Sequence, residues 1–115
     1  EQRWLEYGQR LRVQKRNRLY RSDLTMIGRT LYDAALLGGA QALGQPIGQL
    51  AVGKRADFVV LDGADPYIAC AEQDAILNRW LFAGGDRQVR DVMVGGKWVV
   101  REGRHTDEQS SARAF

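Results

Sequence analysis

The spacing of apolar positions changes near residue 47. Before it the period is helical: Trp4, Leu5, Gly8, Leu11 and Leu19 recur near 3.6 residues, with basic residues mostly between them. This predicts a helix over residues 1 to about 20, with its basic residues on a solvated face. Ser22, Asp23 and Thr25 offer N-caps for a second helix. Its stripe is Ile27, Leu31, Ala34, Ala35, Gly38 and Ala42, and the Gly38-Gly39 pair inside it predicts close approach of another backbone. Gly44 followed by Pro46 predicts the stop.

After Ile47 the pattern turns β-like. Gln49–Val52 reads as a short strand, Gly53-Lys54 as a turn, and Asp57–Leu61 as a strand apolar enough to be covered on both faces. Asp62–Ala71 reads as a loop. Asp74 then caps a short helix over Ala75–Phe82, ended by Gly84-Gly85. "VRDVMVGGKWVVREG" (89–103) predicts a hairpin about Gly95-Gly96, pairing Val94 with Lys97, Met93 with Trp98 and Val92 with Val99. Beyond His105 the tail "TDEQSSARAF" is polar and expected to fray. Two long helices, a short one and three or four strands with two apolar faces do not close a core by themselves. Such strands need a further layer.

With 115 residues, 44% of them hydrophobic and 27% charged, the composition is that of one modest globular domain. The chain begins at Glu1 rather than Met, which raises the expectation that its native start has been removed or that it is a piece of something longer. A single cysteine, Cys70, excludes an internal disulfide and fits the cytoplasm. No apolar run approaches membrane-spanning length. The net charge is +3, with Arg10, Arg12, Lys15, Arg16, Arg18 and Arg21 in one acid-free stretch. A basic binding module for nucleic acid is one reading of that stretch. The solvated helix face is favoured, because interleaved aromatics and helix-turn-helix or zinc spacing are absent.

Little in the chain carries chemistry. There is one histidine, and no HxH, HExxH, CxxC or GxSxG motif. A metal site usually draws three or four ligands from His, Cys and carboxylates, and neither His105 nor Cys70 has such neighbours in sequence. Asp57 and Asp62 bracket a strand. As a catalytic pair they are conceivable, but their positions suit strand-end residues that accept nearby backbone amides. Trp4, Trp80 and Trp98 read as core or interface anchors. No residue of the chain is assigned a catalytic, cofactor-binding or metal-binding role.

"GQLAVGKRADFVVLD" (48–62) and "VRDVMVGGKWVVREGRH" (89–105) resemble two ordered hallmarks of the amidohydrolase superfamily. "AALLGGAQALG" (34–44) resembles the segment that closes its barrel region, and Ala35 or a neighbour stands at that segment's threonine position. "RWLEYGQRLRVQKRN" (3–17) and "ILNRWLFAGGDRQVRDV" (76–92) narrow the resemblance to a deiminase branch that acts on amidine C–N bonds. A guanine deaminase or a chlorohydrolase-like member is the alternative.

The resemblance implies an α+β fragment: two helices from the end of a metal-bearing (β/α)8 barrel, then the C-terminal part of its composite β-sandwich. The implied division is residues 1–46, 47–105 and a polar tail at 106–115. The resemblance further implies hydrolysis by a zinc-activated water in the complete enzyme, the zinc being held by an HxH pair, two further histidines and an aspartate. All five lie upstream, so no ligand falls in this segment, which would bind no cofactor and be inactive alone. The implied partners are the upstream barrel and sandwich portion, a small-molecule substrate and a second subunit in a homodimer, with Gly38-Gly39 and Trp80 as candidate contacts. Nucleic acid and membrane are not among them. Without its upstream half the sheet should expose an apolar face drawn from Phe58, Val60, Val92, Val94 and Val99.

Overall fold

The computed structural model describes residues 1–15 and 26–113. Leu19, the caps Ser22, Asp23 and Thr25, and the cations Arg16, Arg18 and Arg21 lie outside these residues. The described chain is a mixed helix and sheet structure. In order come α1 (Gln2–Val13), α2 (Ile27–Leu43), β1 (Phe58–Leu61), α3 (Asp74–Phe82), a 3-10 turn at Asp86–Gln88, β2 (Val89–Val94), β3 (Lys97–Arg101), β4 (Arg104–His105) and α4 (Glu108–Arg113).

The first helix packs the opposite way from its apolar pattern. Arg3, Glu6, Tyr7 and Arg10 share one face by helical spacing, and Arg3, Tyr7 and Arg10 meet α3. The Arg3 guanidinium donates to the carbonyl oxygens of Leu81 and Gly84, both at 2.7 Å, satisfying acceptors at the end of α3. Tyr7 lies 6.0 Å from Phe82, and Arg10 sits over both rings. Glu6 is fully buried and paired with Arg10 at 2.7 Å. The apolar residues point away: Trp4 is 74% exposed and Leu11 79%. The predicted solvated basic face is therefore corrected at Arg10, which is packed, while Arg12 and Lys15 are exposed.

The second helix packs only its N-terminal turns. Ile27 and Leu31 are buried, whereas Ala34, Ala35, Gly38 and Ala42 are exposed. The close approach expected at Gly38-Gly39 occurs instead at Gly28, where a Cβ would lie 2.6 Å from Asn78 Oδ1 and 2.8 Å from the Asn78 backbone nitrogen. Helix α3 closes over the same end through Tyr32 and Trp80, whose rings are 5.9 Å apart. At the far end Gly44 has φ 60° and donates to Gln41, and Gln45 donates to Ala40. Those two bonds form the left-handed stop that Gly44 and Pro46 predict.

No strand forms at Gln49–Val52. The Gly48 and Gly53 φ angles of 84° and 83° bend the segment into turns, and it closes on itself through Arg55 N–H to the Pro46 carbonyl at 2.8 Å. Its apolar side chains are open, with Leu50 77% exposed. Asp74 is the first residue of α3 rather than its cap, and pairs with Arg29 at 3.6 Å.

The described residues hold a four-stranded antiparallel sheet in the order β1-β2-β3-β4. The β2–β3 turn has Gly95 and Gly96 at φ 58° and 78°, as a tight mirror-image turn requires. Val94 pairs with Lys97 and Met93 with Trp98, but a bulge shifts Val92 onto Val100 rather than Val99. A second two-residue turn, Glu102-Gly103 at φ 51° and 75°, leads into β4. The tail is not wholly frayed, because Glu108–Arg113 is helical, although every residue of that helix is exposed.

Register sorts the strand residues onto two faces. Phe58, Val60, Met93 and Trp98 share one, with the Phe58 and Trp98 rings edge-to-face at 5.5 Å. Val59, Val92 and Val94 share the other. Of the five candidates for the open face, Phe58 and Val60 therefore lie on one side, and Val92 and Val94 on the other. Strand β1 is not covered on both sides either, since Val59 is 39% exposed. Among the described residues only Ile27, Leu31 and Ile68 are buried apolar side chains. The chain exposes 8848 Å², against about 6,300 Å² for a compact protein of this mass. Its radius of gyration is 16.3 Å, where about 13 Å is usual.

Candidate functional site

The groups singled out from the sequence lie in separate surroundings. His105 is exposed on β4, and its Nδ1 accepts the Asp107 amide at 3.1 Å. That bond leaves the proton of the neutral ring on Nε2. Cys70 is exposed in the loop before α3. Among the described residues no group of three or more His, Cys, Asp or Glu could hold a metal ion. No described helix is long and apolar enough to cross a membrane.

The two aspartates that bracket β1 serve the backbone. Asp62 Oδ1 accepts the Ala64 amide at 2.9 Å, an Asx turn that starts the loop. Asp57 Oδ1 accepts the Gly95 amide at 2.7 Å, and its Oδ2 pairs with Arg55 at 2.6 Å. Arg55, and after it the Gly95 amide, hold the Asp57 carboxyl below the usual carboxylate range. Asp57 thereby ties the start of β1 to the β2–β3 turn, and Gly96 N–H adds a bond to the Ala56 carbonyl at 2.9 Å.

A third aspartate carries more of the sheet and was not singled out from the sequence. Asp91 is buried on β2 and accepts the Glu102 amide at 2.9 Å. Arg90 pairs with it at 2.9 Å and Arg101 at 3.6 Å. The Glu102 amide, then Arg90, hold this carboxyl low. It thereby ties β2, beside the bulge, to the Glu102-Gly103 turn. The available sequence signal was a lone acid in an apolar strand flanked by arginine, which reads equally well as a surface residue.

The three tryptophans differ. Trp80 and Trp98 are half-buried against Tyr32 and Phe58, as anchors should be, and Trp4 is open. A cleft of about 360 Å³ separates α2 from β1, lined mainly by Leu36, Ala40, Ile47, Leu50, Phe58 and Val59. Asp57 and Tyr32 also line it, and the lining holds no paired general acid and base. It has the chemistry of an unfilled packing surface.

The model of the amidohydrolase family matches residues 10–99. The chain belongs to the amidohydrolase family. A formimidoylglutamate deiminase from Pseudomonas aeruginosa is 80% identical over all 115 residues, which cover 25% of its length. A guanine deaminase from Rattus norvegicus is 34% identical over 95 residues, 73% of this chain and 20% of that protein. The crystal structure of an amidohydrolase from Brucella melitensis superposes with a TM-score of 0.83 and 41% identity, covering 100% of this chain and 25% of that one. The chain thus spans about a quarter of the length of this amidohydrolase structure and of the deiminase. Of the two relatives, the deiminase is much nearer than the guanine deaminase.

Proposed function

We propose that this chain is the structural C-terminal quarter of a formimidoylglutamate deiminase, which hydrolyses N-formimino-L-glutamate and releases ammonia in histidine degradation. The observation that carries this reading is the 80% identity to such a deiminase along the whole chain. Guanine deaminase, at 34%, is the weaker alternative. In this reading residues 1–46 are barrel-associated helices, 47–105 are half of a composite sandwich and 106–115 are a polar tail. The open apolar side of α1, the α2–β1 cleft and the thin core support it, because each lacks a covering layer. The enzyme is further proposed to be a cytoplasmic homodimer acting on a small molecule.

The zinc implied by the sequence resemblance does not fit the described residues, which offer no ligand group. No reaction step is assigned to them. Their proposed part is to hold the enzyme together: Asp57 and Asp91 lock the sheet, and Arg3 and Asn78 lock the helices. Ammonia release by the longer polypeptide carrying this chain, from N-formimino-L-glutamate and from guanine in parallel, tests the reading. Release from guanine alone would overturn the deiminase assignment.

A further inference from the structure

We draw no further inference here: the strongest candidate, the apolar cleft between α2 and β1 lined by Leu36, Ile47, Leu50 and Phe58, carries nothing beyond the composite domain already proposed, because nothing in the structure shows what covers it.

Discussion

Asn78 Oδ1 accepts the backbone N–H of Gly28 at 2.6 Å, joining α3 to the first turn of α2 across fifty residues of chain. An amide in the first turn has no partner within its own helix, so a side chain from elsewhere does the work of a cap. The contact is close enough to admit only glycine at position 28. Gly28→Ala should therefore cost about 1–3 kcal/mol by overpacking. Asn78→Ala should cost a similar ~1–3 kcal/mol by leaving a buried amide unpaired. Urea unfolding of the longer polypeptide measures both; an unchanged midpoint in either variant would contradict this capping role.

The β2–β3 turn gives a second prediction. Gly95 and Gly96 both occupy the left-handed region, at φ 58° and 78°. A β-branched residue there is strained by at least ~1–2 kcal/mol, so Gly96→Val should lower the melting temperature. Gly95→Asn should cost less, because asparagine tolerates the first position of such a turn. Equal effects from the two substitutions would argue against the turn geometry.

How legible these features were depended on whether their causes were local. The hairpin and the end of α2 were readable because Gly95-Gly96, Gly44 and Pro46 act through their own backbone. The register beyond Met93 was not: the bulge lies beside Asp91, whose partners Arg101 and Glu102 are brought to it only by the fold. The packed face of α1 was hidden for a similar reason: Arg3 finds its acceptors at the end of α3 and just beyond it, some eighty residues away. Gly38-Gly39 drew attention because two adjacent glycines are conspicuous, whereas the isolated Gly28 meets its neighbour only in three dimensions.

Asp91 predicts a pH dependence. Its folded carboxyl is held below the ordinary value, first by the Glu102 amide and then by Arg90. The folded state thus binds this proton less readily than the unfolded chain does. The stabilisation is fully present above the ordinary carboxylate value of ~3.9 and is lost as the pH falls through the lower folded value. Asp91→Asn should remove that part of the acid sensitivity and destabilise the sheet at neutral pH. An unaltered stability-against-pH curve below pH ~4 would exclude Asp91 as a contributor.

Metal content gives a fourth prediction. Since the described residues offer no ligand cluster, the 115-residue chain should hold no stoichiometric zinc and release no ammonia from N-formimino-L-glutamate. Elemental analysis and an ammonia assay check this. One tightly held zinc per chain, lost in His105→Ala, would contradict it.

The central claim is that this chain is one part of a larger structure and requires cover from the rest. Amide hydrogen exchange at Phe58–Leu61 tests it most directly, measured at low concentration in the isolated chain and in the longer polypeptide. Among the described residues β1 pairs only with β2, and it carries a partly exposed face, so it should open readily when alone. Exchange about tenfold or more faster in the isolated chain is the predicted result. Equal, strong protection in a monodisperse monomer would mean that the chain closes its own core, and the account would be wrong.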